Sequence, residues 1–322
     1  MNNIFLSIDG IIFNGQEELI PPTRKWLLKE FIDFNGVVGE LFIPDQRRLD
    51  HTLTVVLGGS SGGLRHTLVA ERLAQYDVPS FALAYFGMDR LPPKLDGIPL
   101  EYFFNAFSVL LGRDEFKEHR LVCLGHSRGA ELALQLAAIS PFFSGVIATS
   151  PSHVRWGATA ANKPAWLLNG APLPFVEPVP LPDLQNPTIS HDGNEYASYL
   201  DWYLAQLEKS PNIIEAAIPV EDIDCPTLLF SGLDDRLWPS AIAANVIKQK
   251  RRAVSKPVEN IQYKDVGHVI PLPDESPRLF AWHGAVKAGI AYGGSHGATM
   301  AAANDRWERI LAFLETIDKT NK

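Results

Sequence analysis

The sequence predicts an α/β fold in which a mostly parallel central sheet is covered by helices on both faces. Apolar runs of strand length alternate with segments of helix length, which is the pattern that helical crossovers between parallel strands produce. The apolar runs lack polar alternation, as expected for strands that are buried on both sides. The predicted strands are Leu53–Leu57, Ser80–Tyr85, Leu121–Leu124, Gly145–Ala148, Thr227–Phe230 and Ile261–Tyr263.

Helices are predicted between these strands and after the last one. The third of them is apolar on every side, so it should run through the middle of the molecule rather than along its surface. Upstream of the first strand, Asn35 and Gly36 separate two strand-like runs and favour the positive backbone dihedrals of a tight hairpin, which we place at an antiparallel edge of the sheet. The predicted helices are about Leu64–Tyr76, Leu100–Leu111, Ser127–Ile139, Ser240–Lys250 and Ala298–Leu314.

One long segment interrupts this alternation. Residues 150–224 are rich in proline and aromatic side chains, with eight prolines between positions 151 and 187. A structureless loop of that length is rare in a compact domain, so we interpret the segment as an inserted lid. The predicted organisation is an N-terminal extension over residues 1–30, a main α/β domain formed by residues 31–149 and 225–318, and the lid over residues 150–224.

Composition and charge exclude several classes of protein. The formal net charge is −8, so no overall positive field would attract nucleic acid or an anionic membrane. The two cysteines, Cys123 and Cys225, each lie in an apolar run, and no cluster has metal-ligand spacing. We therefore expect neither a disulfide framework nor a metal site. Without a secretion signal or a run of roughly eighteen apolar residues, the expected protein is soluble and cytoplasmic.

Residues 125–129 read Gly-His-Ser-Arg-Gly and stand between a predicted strand and the most apolar helix. This strand–turn–helix context is what a nucleophile elbow requires. A larger side chain at either glycine would collide with neighbouring backbone, and the strained turn leaves the serine hydroxyl projecting. The pattern predicts Ser127 as a catalytic nucleophile; the alternative is a chance match in a glycine-bearing turn.

A serine nucleophile needs a carboxylate and a histidine base that follow it in the order Ser, acid, His. After the strand at residues 227–230, a turn at Gly232 delivers two adjacent aspartates to the carboxyl edge of the sheet. We predict Asp235 as the acid, with Asp234 capping or bracing the loop. The structural alternative for either aspartate is an N-cap of the following helix.

The histidine base is sought on a loop directly after a strand. His268 follows the last predicted strand and is our candidate for the base, with His296 as the outside candidate. His283 and His296 lie late in the chain with no predicted strand before them. We interpret the other histidines, including His283, as surface or packing residues.

An acyl-transfer site also needs donors aimed at the developing oxyanion, each worth about 3 kcal/mol. The elbow geometry assigns one donor to the backbone amide of Arg128, the residue after the nucleophile. The second is expected from residues 58–63, which read Gly-Gly-Ser-Ser-Gly-Gly; Ser60 is the first choice and Ser61 the reserve. A phosphate-binding loop is the rival interpretation, but the lysine of a Walker loop and the G-x-G-x-x-G pattern are both missing.

With these motifs placed, the chain resembles the α/β-hydrolase superfamily. More closely, it resembles the C-terminal catalytic domain of the acyl-CoA thioesterase and bile acid-CoA:amino acid N-acyltransferase family, over roughly residues 31–314. The discriminating segments are residues 82–86 (Ala-Leu-Ala-Tyr-Phe) and 99–103 (Pro-Leu-Glu-Tyr-Phe), because a generic hydrolase has no mechanical need for them. The other matching segments are residues 36–44, 58–63, 125–132, 218–221, 232–240, 267–268, 293–294 and 305–307.

The resemblance implies an α/β-hydrolase fold, a small-molecule acyl substrate and no cofactor. It places the nucleophile on Ser127, the acid on Asp235 and the base on His268, in agreement with the motifs. Family members that transfer acyl groups to glycine or taurine use cysteine as the nucleophile, so a serine implies attack by water. The implied reaction is hydrolysis of an acyl-CoA to a free acid and CoA through an acyl-enzyme.

Two alternatives stay open. A carboxylesterase or dienelactone-hydrolase-like enzyme would use the same triad on small esters. A non-catalytic ligand-binding protein could keep the scaffold, although the intact triad argues against it. For CoA recognition the sequence offers four cations near the expected pocket mouth, each of which is otherwise a solvated surface cation; they are Arg65, Arg128, Arg155 and Lys163.

Overall fold

An eight-stranded sheet forms the centre of the fold. The computed structural model describes residues 6–8, 11–13, 19–20, 26–158, 162–283 and 287–320. The spatial order of the sheet is β1-β2-β4-β3-β5-β6-β7-β8. The pairs β1–β2 and β2–β4 are antiparallel and the other five are parallel, so only β2 runs against its neighbours. The strands are β1 Trp26–Phe34, β2 Val37–Pro44, β3 Thr52–Leu57, β4 Ser80–Ala84, β5 Arg120–His126, β6 Phe143–Thr149, β7 Thr227–Gly232 and β8 Val258–Tyr263.

Helices cover both faces of this sheet, which confirms the predicted α/β class. In the central strands, neighbouring residues enter two different hydrophobic cores, one containing Val55 and the other Val56. Side chains of α2, α3 and α6 complete the first core, and those of α1 and α7 complete the second. The helices are α1 Thr67–Gln75, α2 Glu101–Leu111, α3 Arg128–Ile139, α4 Leu200–Lys209, α5 Ile213–Ala216, α6 Ser240–Ala253 and α7 His296–Thr320, with 3₁₀ turns at Asp114–Phe116 and Val220–Asp222.

The predicted hairpin is present at the edge of the sheet. Asn35 and Gly36 both adopt positive φ, at 51° and 76°, as a type I′ turn requires. They join β1 to β2, and β1 is the outermost strand. Because β1 already begins at Trp26, part of the predicted N-terminal extension belongs to the main sheet. The rest of that extension lies largely outside the described residues.

Short strands lie outside the main sheet, and four of them belong to the segment predicted as a lid. Residues 166–168 pair with residues 98–99, ahead of the elbow in the chain, so the segment is fastened to the main domain. A second small sheet has four strands, two from the segment and two from residues 280–291. The short strands are Leu6–Ile8, Ile11–Phe13, Leu19–Ile20, Ile98–Pro99, Trp166–Leu168, Ala171–Pro172, Thr188–His191, Asn194–Ala197, Phe280–His283 and Ala288–Ala291.

A buried arginine joins helix α6 to the chain that enters β7 and β8. The Arg251 guanidinium donates hydrogen bonds to the carbonyls of Val220, Ile223, Cys225 and Pro257 at 2.7–3.0 Å. Its side chain is fully buried, and burial lowers its pKa. Four backbone acceptors from two separate connections therefore depend on one side chain, which helps to fix the two strands that precede the loops of Asp235 and His268.

Replacing Arg251 with methionine should lower the free energy of unfolding by about 2–4 kcal/mol, because several buried carbonyls lose their donor. Urea unfolding followed by fluorescence measures the change. The exposed neighbour Arg252 provides the control, since Arg252→Met removes the same charge from the surface and should change stability by less than about 0.5 kcal/mol. Equal shifts for the two variants would contradict this assignment.

Candidate active site

The Gly-His-Ser-Arg-Gly turn has the geometry that the motif predicts. Ser127 stands between β5 and α3 with φ 57° and ψ −121°, a strained conformation for a residue with a side chain. A Cβ on Gly125 would lie 2.1 Å from the carbonyl oxygen of Gly129, and one on Gly129 would lie 2.3 Å from that of Leu57. Both positions therefore exclude any larger residue, and the turn directs the Ser127 hydroxyl away from the sheet.

The structure brings Ser127, His268 and Asp235 into one hydrogen-bonded chain. His268 Nε2 lies 2.9 Å from Ser127 Oγ, and His268 Nδ1 lies 2.9 Å from Asp235 Oδ2. All three side chains are buried. Because an ionised carboxylate only accepts hydrogen bonds, Nδ1 carries the ring proton, and Nε2 is left to accept from the serine hydroxyl.

The two adjacent aspartates face different partners. Asp235 Oδ1 accepts from the amides of Leu237 and Trp238, and Oδ2 accepts from the Ser240 hydroxyl. These bonds hold the carboxylate toward the imidazole. Asp234 instead accepts from the Arg236 guanidinium and from the amide of Gly294, so it braces the loop.

The backbone of His268 is fixed on several sides. Its carbonyl accepts from the Ser150 hydroxyl at 2.6 Å and lies 3.2 Å from His126 Nε2, and its amide donates to the carbonyl of Tyr292. Burial lowers the pKa of His126 to about 3, so that ring is neutral at pH 7. A neutral ring adds no positive charge beside the imidazole of His268.

The glycine-rich loop at residues 58–63 flanks Ser127. A Cβ on Gly59 would lie 3.3 Å from Ser127 Cβ and 3.7 Å from its Oγ. The Tyr85 hydroxyl donates to the Gly58 carbonyl at 2.6 Å and anchors the start of the loop. Within the described part of the chain, neither the amide of Ser60 nor that of Arg128 donates to a protein acceptor. Both amides remain available for a ligand.

A histidine that the sequence analysis set aside reaches this loop. His283 Nε2 lies 2.9 Å from Ser60 Oγ, and His283 belongs to the four-stranded small sheet, not to a loop. Of the two expected positions, surface or packing, the structure shows the second, because His283 is buried and has a polar partner in this loop. A strand of four residues gave no usable signal in the sequence.

The side chain of Arg128 connects the elbow to the inserted segment. Its guanidinium pairs with Glu131 at 3.0 Å and donates to the carbonyl of Trp156 at 2.9 Å. Glu131 also accepts from the indole of Trp166 at 2.7 Å. Burial raises the pKa of Glu131, and the Arg128 guanidinium opposes that rise. One buried ion pair thus holds the segment against the first turn of α3.

Two of the four cations considered for CoA recognition are unavailable for it. Arg128 is engaged as described, and Arg155 is buried and donates to Gln135 and to three backbone carbonyls. Neither is a solvated surface cation. Arg65 and Lys163 are exposed, and Lys163 pairs with Asp96 at 3.2 Å.

The described residues were compared with the requirements of a metal site, a disulfide and a membrane-spanning helix. These residues contain no group of three or more His, Cys, Asp or Glu side chains that could hold a metal ion. Cys123 and Cys225 are free and buried, and burial raises the pKa of Cys225 to about 11. Among the described helices, none combines the length and the apolar character that crossing a bilayer demands.

Comparison with known proteins identifies the family. A family model described as "BAAT / Acyl-CoA thioester hydrolase C terminal" matches residues 98–318. The chain belongs to this family. It is 31% identical to human acyl-coenzyme A thioesterase 6 over 305 residues, which cover 94% of this chain and 67% of that protein. Human mitochondrial acyl-coenzyme A thioesterase 2 is 29% identical over 297 residues, covering 92% of this chain and 57% of the relative.

Solved structures agree on the fold. An α/β-hydrolase enzyme from a deep-sea metagenome library of the Medee basin superimposes with a TM-score of 0.55 at 13% identity, covering 91% of this chain and 99% of that one. A dienelactone hydrolase-like promiscuous phosphotriesterase from metagenomic libraries gives 0.53 at 12% identity, with coverages of 91% and 99%. The predicted α/β-hydrolase fold is confirmed. At the level of the family, so is the prediction of a hydrolase of thioester or ester bonds.

Replacing Glu131 with glutamine should lower the free energy of unfolding by about 3–5 kcal/mol, because it leaves the buried Arg128 guanidinium without a counter-charge. Chemical denaturation measures the loss. Asp96→Asn breaks the exposed pair with Lys163 and serves as the control, with an expected change below about 1 kcal/mol. A Glu131→Gln variant as stable as the control would show that the buried pair does not hold the segment.

Proposed function

We propose that this protein is a serine-dependent acyl-CoA thioesterase, which hydrolyses an acyl-CoA to a free acid and CoA. The observation that carries the proposal is the hydrogen-bonded chain from Ser127 through His268 to Asp235, in a member of an acyl-CoA thioester hydrolase family. Ser127 acts as nucleophile, His268 as general base, and Asp235 as the group that orients the imidazole and stabilises its protonated form.

In the acylation step, His268 Nε2 takes the hydroxyl proton of Ser127 while Oγ attacks the thioester carbonyl carbon. The carbonyl oxygen then carries a negative charge, and the amides of Arg128 and Ser60 donate hydrogen bonds to it, at about 3 kcal/mol per donor. The tetrahedral intermediate collapses by breaking the carbon–sulfur bond. CoA leaves as a thiolate, and the protonated imidazole gives its proton to the departing sulfur, which returns His268 to its neutral form.

In the deacylation step, water replaces the thiolate. His268 removes a proton from the water molecule, the resulting hydroxide attacks the acyl-enzyme ester, and the collapse returns the proton to Ser127 Oγ. The free acid is released and the enzyme is restored. A serine at the nucleophile position supports hydrolysis over acyl transfer to an amino acid.

The substrate class rests on the relatives. Both human relatives carry acyl-coenzyme A thioesterase in their names, and together with the family model they support a thioester as the substrate. The chain spans 57–67% of their lengths, so the proposal concerns the shared part. We propose a cytoplasmic location. The net charge of −8 gives the protein no attraction to an anionic membrane surface.

Purified protein should hydrolyse acyl-CoAs with kcat/KM well above the values for short nitrophenyl esters. A panel of acyl-CoAs of increasing chain length, assayed by release of the CoA thiol, measures this preference. Ser127→Ala should reduce kcat by at least about 1,000-fold. Rates that favour esters by orders of magnitude would indicate a carboxylesterase, and acyl-CoA binding without any turnover would indicate a non-catalytic scaffold; either result contradicts the proposal.

Substitutions of the two aspartates should have different effects on kcat in the same assay. Asp235→Asn is expected to lower kcat by about 1,000- to 10,000-fold, because an amide at this position favours the wrong tautomer of His268. Asp234→Asn removes a loop contact but not the carboxylate beside the imidazole, so its kcat should stay within about threefold of the parent enzyme while its melting temperature falls. A larger loss of kcat in Asp234→Asn would transfer the acid role to Asp234.

A further inference from the structure

The interaction between His283 and Ser60 has no place in the triad. It joins a residue of the loop beside the nucleophile to a residue 223 positions later in the chain, on the edge of the small sheet. The His283 side chain is 9% exposed, and its Nδ1 is buried without a hydrogen-bond partner among the described residues. A buried polar atom with no partner is unusual and requires an explanation.

The unpartnered Nδ1 indicates which atom donates in this pair. In a neutral imidazole one ring nitrogen carries the hydrogen and the other accepts. If the Ser60 hydroxyl donated to Nε2, Nδ1 would be a buried N–H with no acceptor, and such orphaned donors are rare. If Nε2 donates to Ser60 Oγ, the atom without a partner is only a lone pair. Burial and the nearby His268 lower the pKa of His283, which keeps the ring neutral.

This arrangement leaves the hydroxyl hydrogen of Ser60 unused. Ser60 Oγ accepts from His283, and in the described parts of the chain its own hydrogen meets no protein acceptor. The preceding residue, Gly59, approaches Ser127 so closely that an added Cβ would contact the nucleophile's side chain. A hydroxyl donor without a protein acceptor among the described residues therefore lies in the loop that borders Ser127.

We propose that His283 is a positioning residue that holds the Ser60 hydroxyl as a third hydrogen-bond donor to the carbonyl oxygen of the substrate, beside the amides of Ser60 and Arg128. The inference rests on the proposed function, because it needs an oxyanion to form at this place. The donor acts on the oxygen whose charge grows in the transition state. It should therefore affect kcat more than KM.

A double-mutant cycle tests the proposal. Ser60→Ala keeps the backbone amide and removes only the hydroxyl, and His283→Phe keeps the ring volume and removes the donor to Ser60. Each variant should lower kcat by about 10- to 100-fold with KM changed by less than about threefold. The double variant should be no slower than Ser60→Ala, since both substitutions break the same chain of hydrogen bonds.

Two further variants separate positioning from a structural role. The side-chain amide of His283→Gln can still donate to Ser60 Oγ, so it should recover kcat to within about fivefold of the parent enzyme. His191→Phe is the matched control: His191 is exposed on the same small sheet, stacks on Phe280, and should leave kcat unchanged. If His283 only tied the small sheet to the loop, His283→Phe would lower the melting temperature and leave kcat intact.

Three results would overturn the proposal: an unchanged kcat in Ser60→Ala, losses that multiply in the double variant, or an effect confined to KM. The cycle is to be measured with an acyl-CoA and with an activated nitrophenyl ester, because both reactions form an oxyanion. If esters turn out to be the better substrates, the thioesterase proposal fails while the cycle still reports on His283. If the cycle fails but acyl-CoA turnover depends on Ser127, only the role of His283 is lost.

Discussion

The close approach of backbone at the elbow is the constraint on which the rest of the site depends. Strand β5 can turn into helix α3 beside the end of β3 only because Gly125 and Gly129 present no side chains to the surrounding carbonyls. That turn forces Ser127 into a left-handed φ, and the buried helix behind it prevents relaxation. The strain is supported by burial of α3 on nearly all sides, since its residues from Arg128 to Ala137 are shielded from solvent.

A second set of close contacts fixes the other two members of the triad. A Cβ on Gly232 would lie 2.1 Å from the Val266 carbonyl, and one on Gly267 would lie 2.3 Å from the Gly293 carbonyl. The acid and base loops can therefore pack directly on one another, and Asp234 ties this packing to Gly294. Asp235 is left free to face His268. The two aspartates thus have different partners: Asp234 bonds to the loops, and Asp235 bonds to the imidazole of His268.

Much of this arrangement could be predicted from the sequence, and particular residues explain why. Buried parallel strands leave continuous apolar runs, so all six of the predicted parallel strands lie within a few residues of those observed. The candidate residues Ser127, Asp235 and His268 follow strands in a fixed order, and the structure brings them together. The burial of Arg128 was not foreseen, although Glu131 three residues later was a usable signal. Arg155 and His283 gave none, because their partners lie far along the chain or are backbone carbonyls.

Covalent labelling measures most directly whether His268 activates the Ser127 hydroxyl, as we propose. An alkyl fluorophosphonate reacts with a serine only when a neighbouring base has made it nucleophilic. Peptide mass spectrometry of the treated protein should find one adduct, on Ser127, and His268→Ala should abolish it while the protein stays folded. An adduct on another residue, or equal labelling of Ser127 without the imidazole, would contradict the account.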